Sequence, residues 1–260
     1  MKSFIDFKSC TIALGGRGLG RGGKKKVAFT LAEVLITLGI IGIVAAMTIP
    51  TMISSYNKHI TETRLKKFYS LFNQAIKLSV AENGEVEGWD SYWDAAKNIT
   101  DEDGNVIENS DVVNAAFEKY LAPYMKVMTK KKLKNAQKNY TVTLYVLADS
   151  SAFTYRSLDT RNITFFPKNP EKCLSKNPNL GICAFEFLWE PTNTSQSYKY
   201  HYQQGLEPFM YDWDGKKESL YEGKTYSCKG DASTNGNYCG TIIKMNGWKI
   251  PADYPRKIQY

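Results

Sequence analysis

The residues best equipped for chemistry in this chain are one carboxylate, four cysteines and two histidines. Glu33 is the only charged residue in the 21-residue run from Phe29 to Ile49. A carboxylate costs about 2.5–3.5 kcal/mol at the centre of a membrane and less near its surface. Glu33 is therefore either a tolerated interfacial charge or a functional carboxylate awaiting a cation. Cys173, Cys183, Cys228 and Cys239 lie in the second half of the chain, and Cys10 stands alone near its start. Four cysteines allow three pairings, and closeness in sequence favours Cys173–Cys183 and Cys228–Cys239. Each pairing would close a loop of about a dozen residues, worth roughly 2.5–3 kcal/mol in the chain-entropy picture. A four-cysteine zinc site is the rival, but the chain contains no Cys-x-x-Cys pair.

Neither His59 nor His201 has a nucleophile or carboxylate at a telling spacing. Gly-x-Ser-x-Gly, His-Glu-x-x-His and paired-carboxylate signatures do not occur. The expectation is a non-enzyme with no cofactor and no metal. Gly18-x-Gly20-x-x-Gly23 has the form of a dinucleotide fingerprint, and Gly23-Lys24 nearly makes a phosphate loop, with Lys25 where Ser or Thr is needed. Neither follows a strand, so both read as coincidence. Asp101-Glu102-Asp103-Gly104-Asn105 has its glycine at the fourth position rather than the sixth of a calcium loop, and reads as an acidic turn. The net charge of +8 suggests nucleic acid, but residues 1–28 alone carry seven Lys and Arg against one Asp, leaving +2 for the remainder. No nucleic-acid partner is expected.

The elements that hold these residues follow from periodicity. Phe29 to Ile49 would span about 30 Å as a helix, enough to cross a bilayer. The stretch is too long for the apolar core of a cleaved secretory signal. Beyond Pro50 the pattern stays helical, with Ile53, Ile60, Phe68, Phe72, Ile76 and Val80 apolar and Lys66, Lys67, Asn73, Gln74 and Lys77 on the other face. Gly84 is a natural stop. The first half of this helix is apolar all round and the second is amphipathic, a pattern that suits a membrane at one end and a globular domain at the other. Thr37, Gly39, Gly42, Ala45 and Ala46 would let such helices pack closely.

Further on, Gly84 to Asn109 is acidic and turn-rich. Ser110 would cap a helix bearing Val113, Phe117, Tyr120 and Leu121. Lys130 to Lys138 reads as a basic connector. Strands are predicted over Tyr140–Leu147, Ala152–Leu158, Gly181–Trp189, Tyr198–Tyr202 and Phe209–Trp213, with turns at Asp149-Ser150 and Asp214-Gly215. This order predicts an α+β fold, an antiparallel sheet laid on the amphipathic half of the long helix. The 17 tyrosines fit either a Tyr-rich exported β-domain or an adhesive surface.

The run Lys24-Lys25-Lys26-Val27-Ala28-Phe29-Thr30-Leu31-Ala32-Glu33 resembles the N-terminus of type IV prepilins and type II secretion pseudopilins. The resemblance implies a dedicated prepilin peptidase that cuts between Ala28 and Phe29 and methylates the new Phe29 amine. It also implies that Glu33, fifth in the mature chain, guides assembly by meeting the N-terminal amine of a neighbouring subunit. Pro50 sits where the family often has a helix-kinking proline. Ala28 stands where the family usually has glycine. The implied organisation is a leader at 1–28, a transmembrane assembly helix at 29–50, its amphipathic continuation at 51–83 and an exported globular domain at 84–260. The partners would be the peptidase, other pilin or pseudopilin subunits, inner-membrane assembly machinery and membrane lipid. Arg17, Arg21 and Lys24 to Lys26 crowd the leader side of the apolar run, while the nearest cation after Pro50 is Lys58. That asymmetry puts the leader in the cytoplasm and the large domain across a bacterial inner membrane, periplasmic or extracellular, where the four later cysteines would oxidise. The large mature domain leans toward a minor subunit. A monomeric signal-anchored domain with binding or enzymatic activity is the alternative.

Overall fold

The computed structural model describes residues 30–89, 114–134, 141–155, 162–175, 180–223, 225–229 and 236–260. The chain divides into two compact units, residues 1–47 and 48–260. The first unit, where described, is the beginning of one helix, α1 (Leu31–Asn83). Its large apolar side chains, among them Leu31, Leu35, Leu38, Ile41 and Val44, are exposed on every side. Pro50 lies inside α1, which continues as helix to Asn83. The proline removes one backbone donor from the ladder without ending it.

The second unit contains the rest of α1 and a six-stranded antiparallel sheet whose spatial order follows the chain. Its strands are β1 (Val127–Lys134), β2 (Thr141–Leu147), β3 (Ala152–Tyr155), β4 (Asn162–Phe166), β5 (Phe185–Leu188) and β6 (Glu207–Pro208). Among the described residues short helices accompany them, including α2 (Pro170–Ser175), α3 (Lys217–Tyr221) and α4 (Cys239–Met245). The expected α+β layout is therefore present, a long N-terminal helix with an antiparallel sheet.

Period-two alternation on the strands and three-to-four spacing on α1 make the core. Leu65, Phe68, Phe72, Ala75 and Ile76 form the buried stripe of the helix. The register aligns Tyr145 with Phe153, Phe153 with Phe165, and Phe165 with Phe185, so one aromatic row crosses four strands. Phe68 stacks on Phe165 with ring centres 4.3 Å apart and lies 5.2 Å from Phe153 and 5.4 Å from Phe187. Phe117, Tyr120 and Leu121, on one π-helical turn, complete this cluster. The opposite side of the strands holds Leu144, Ala152, Phe166 and α2's Cys173 and Leu174. A third cluster gathers Leu188, Phe209, Trp213, Leu220, Tyr238 and Ile242 around α3 and α4.

Polar bonds lock α1 in place. Arg64 donates to the carbonyls of Pro167 and Asp149, and Lys67 pairs with the Asp149 carboxylate at 2.8 Å. The Asn73 amide donates to the Leu206 carbonyl at 3.1 Å and accepts from the Leu206 N–H at 2.9 Å. Gly205 permits that approach, because a Cβ there would lie 1.9 Å from the Asn73 oxygen.

Several expectations need correction. Residues 127–134 form strand β1, where Lys130 to Lys138 had the look of a connector. Lysines on an edge strand discourage pairing with other chains, which is why a strand can carry so polar a sequence. Strand β4 was not among the expected strands, although Asn162-Ile163-Thr164-Phe165 alternates, with Ile163 and Phe165 in the cluster against α1 and Phe166 in the opposite one. Tyr198–Tyr202 is not a strand. It follows a tight turn, Gln196–Tyr198, in which Tyr198 O accepts from the N–H of His201 and of Tyr202. Phe209–Trp213 is also irregular, since β6 stops at Pro208 and Asp212 is left-handed at φ 57°. Ser110 lies outside the described residues, as do the acidic loop 101–105 and Cys10. Phe68→Ala should destabilise the domain by about 3–5 kcal/mol, read as a lowered midpoint in chemical denaturation; a loss under 1 kcal/mol would show that α1 is not the keystone of the core.

Candidate functional site

The start of α1 carries the residue singled out for chemistry. Thr30 is the residue before the helix, and Glu33 is its third. The Thr30 N–H donates to Glu33 Oε2 at 2.8 Å, and the Thr30 hydroxyl donates to the same oxygen at 2.9 Å. The Glu33 N–H reaches back to the Thr30 hydroxyl oxygen at 3.2 Å. This is a capping box, in which two backbone donors without helical partners are satisfied reciprocally. A negative charge in the first turn also opposes the helix dipole favourably. Glu33 thus has partners within its own chain and is not a bare carboxylate. Its signal was in the sequence, Thr30-Leu31-Ala32-Glu33 ahead of an apolar run, and Thr30 is the site residue missed there. Ala28 and Phe29 lie outside the described residues.

The exposed apolar surface extends past Pro50. Met52 and Ile53 are exposed, as is Tyr56, and burial begins only at Asn57 and Thr61. Along α1 exposure therefore gives way to burial at Tyr56–Asn57. Among the described residues α1 is one helix long and apolar enough to cross a membrane.

The four later cysteines form two disulfides, Cys173–Cys183 and Cys228–Cys239. The second bridge packs on Gly181, in the loop closed by the first, where a Cβ would lie 2.2 Å from Cys239 Sγ. Arg256 ties the loops together, donating from Nε to the Cys228 carbonyl at 2.5 Å and from Nη1 to the Leu180 carbonyl at 3.1 Å. The Tyr254 hydroxyl donates to the Gly181 carbonyl at 2.8 Å.

Glu186, Glu207, Asp149 and His201 each have structural partners in the interior. Glu186 accepts from the Asn162 amide at 2.6 Å and from the Asn237 amide. Glu207 accepts from Tyr69 at 3.1 Å and pairs with Lys244. Burial works to raise the Asp149 carboxyl, but bonds from Lys67 and Ser151 outweigh it and hold the group down at about 2. His201 is fully buried, and its Nε2 accepts from the Met210 N–H at 3.1 Å. Burial, aided by the charge of Lys244, pushes His201 down to about 4. His59 is exposed on α1. No group of three or more His, Cys, Asp and Glu among the described residues is placed to hold a metal ion.

Comparison with known families adds two findings. Residues 51–258 match a family of unknown function, DUF6613. The chain belongs to DUF6613. Residues 24–49 match the prokaryotic N-terminal methylation motif, the prepilin-type cleavage and methylation segment. This DUF6613 protein is therefore pilin-like or pseudopilin-like, with a single apolar helix for membrane anchoring. The motif implies a substrate of prepilin peptidase that assembles with other pilin subunits. No curated protein and no solved structure matches the chain.

The buried histidine makes this DUF6613 domain sensitive to acid. A folded-state value near 4 against about 6.5 unfolded means that the neutral ring stabilises the fold fully above pH 6.5 and loses that contribution as pH falls toward 4, about 3 kcal/mol in all. Asp149 acts only at lower pH, between its ordinary value of 3.8 and about 2. The melting temperature should fall between pH 6.5 and 4.5 in the wild type and stay flatter in His201→Gln, compared from each protein's own value at pH 7.5; parallel curves would show that other groups govern the acid limb.

Proposed function

We propose that this chain is a structural subunit, a minor one, of a type IV pilus or a type II secretion pseudopilus, cut between Ala28 and Phe29, methylated on Phe29 and assembled through α1. The carrying observation is a prepilin-type segment that continues into a helix exposed on all its apolar faces and opened by a carboxylate. Such a surface is stable only against lipid or against other apolar helices. The chain acts as a building block rather than a catalyst, which is supported by the structural partners of its interior titratable groups. The two disulfides support an oxidising compartment for the large domain, with the leader cytoplasmic and the anchor in a bacterial inner membrane.

In the assembled state a neighbour's Phe29 amine would pair with Glu33. Removing one member of such a buried pair costs about 3–5 kcal/mol, because the other charge is left unpaired. The capping box favours a second reading. If capping is the whole task of Glu33, the chain is a monomeric signal-anchored domain with binding or enzymatic activity.

Two substitutions separate the readings. Glutamine retains an oxygen that can accept from the Thr30 N–H, so Glu33→Gln keeps the cap and removes the charge. Under the assembly reading both Glu33→Gln and Glu33→Ala insert and are cut, yet fail to crosslink with partner subunits. Under the second reading Glu33→Gln behaves as wild type in every assay. Mass spectrometry of the mature N-terminus should show methyl-Phe at position 29; an intact leader would remove the basis for processing.

A further inference from the structure

We propose that the outer edge of strand β1, with the groove beside it, is a docking site for an acidic, extended peptide that adds to the sheet as a further strand. The groove has a volume of about 720 Å³. It is lined by Glu118 and Lys119 of the π-helical turn, by Lys130 and Lys132 of β1, and by Thr143 and Tyr145 of β2. The register explains why these residues meet. Lys130 lies opposite Tyr145 and Lys132 opposite Thr143, so both lysines leave the sheet on the face where the turn packs. Glu118 joins the turn to both strands, since it accepts from the Tyr145 hydroxyl at 3.0 Å and pairs with Lys130.

Charge and position select the occupant. Among the described residues that line the groove there are three lysines and one carboxylate. Among the described strands β1 ends the sheet, paired along one side with β2. Its eight residues are enough for another ladder, and the backbone groups of an outer edge are a template for a further chain. The lysines decide which chain. A second copy of β1 laid on this edge would bring lysines against lysines, which is unfavourable. An acidic strand meets no such opposition. Its alternate side chains face the groove, and those opposite Lys130 and Lys132 have Cβ atoms about 4.5–5.5 Å from theirs. A carboxylate at each of these positions pairs with a lysine across the ladder.

The existing ion pair does not close the site. The side chains of Lys130 and Glu118 are 50% and 35% exposed, so theirs is a surface contact that an incoming carboxylate can replace. Glu118 keeps its place when that happens, because Lys130 holds Oε2 and the Tyr145 hydroxyl holds Oε1. Main-chain bonds along the edge supply affinity, and carboxylates spaced two residues apart supply the choice of peptide. The site lies within the larger unit and does not depend on how the apolar helix is anchored.

The test is fluorescence anisotropy of the full chain in non-ionic micelles at low salt, with a labelled synthetic peptide of about eight residues that alternates glutamate with threonine. Wild type should bind it, and amide hydrogen exchange over Val127–Lys134 should slow on binding. Lys130→Gln with Lys132→Gln should weaken binding about fivefold. Lys130→Arg with Lys132→Arg keeps both charges and should bind as wild type does, as should Lys66→Gln with Lys77→Gln, which removes exposed lysines of α1. A second peptide, with proline in place of each threonine, keeps the charge but is held near φ −65°, outside ladder geometry; it should fail to bind. Binding of the proline peptide as tight as that of the first would overturn the proposal, by reducing the site to a patch of charge. Equal affinity of wild type and the Lys130/Lys132 Gln variant would also overturn it, as would unchanged exchange over β1 or the absence of binding by either peptide.

Discussion

One helix that must satisfy two environments dictates the rest of this structure. From Asn57 onward α1 buries a narrow stripe, Leu65, Phe68, Phe72 and Ala75, in a domain core. Before Asn57 it presents apolar side chains on every side and buries almost none of them. A stripe calls for a sheet with one aromatic face, and the row Tyr145, Phe153, Phe165, Phe185 supplies it. An all-round apolar surface calls for lipid or other helices, because water cannot accommodate so large a patch. The two requirements meet on the same backbone, so what happens to one half of the helix acts on the subunit that the other half holds.

Glu33 gains from this arrangement in two separable ways. At the first turn of a helix a carboxylate satisfies backbone donors and offsets the dipole, which makes it locally favourable in any surroundings. The cap does not remove its net charge. Moved among apolar neighbours, the group still needs a cation, and hydrogen bonds from Thr30 lower the cost of waiting for one. The box fixes where the carboxylate points, through the same bonds that start the helix.

How much of this was legible in the residues depends on what each element packs against. The helix was readable from 29 to 83 and is observed from Leu31 to Asn83, because an all-round apolar run followed by four-residue spacing has no other reading. The turn at Asp149-Ser150 and the strand after Tyr140 were equally plain. Strand β1 was hidden by lysines that protect an edge, and β4 was passed over although Asn162-Ile163-Thr164-Phe165 alternates as a strand does. Tyr198–Tyr202 misled through the strand preference of tyrosine. Here the rings pack on one another instead, Tyr198 with Tyr211 at 4.9 Å and Tyr200 with Trp213 at 4.8 Å, and the backbone turns to allow it. The cap at Thr30 was visible as a motif, yet was overshadowed by attention to the charge of Glu33. Lys168 could not have been placed beside Tyr56 from sequence, since a fold had to bring residues 112 apart into contact.

The last third of the chain shows a different economy. Among the described residues its strands there are β5, of four residues, and β6, of two, and α3 and α4 are short. A region so poor in backbone ladders must find order elsewhere. It does so through two disulfides, an arginine that bonds a carbonyl in each loop, and a tail that returns to Thr61 of α1 through Tyr260. Each bridge closes its own loop, and Arg256 links one loop to the other. The bridges form only in an oxidising compartment. The aromatic core on α1 and strands β2 to β5 contains no cysteine, so it needs no such condition. The domain thus has a core that any compartment permits and an outer region that is completed only by oxidation.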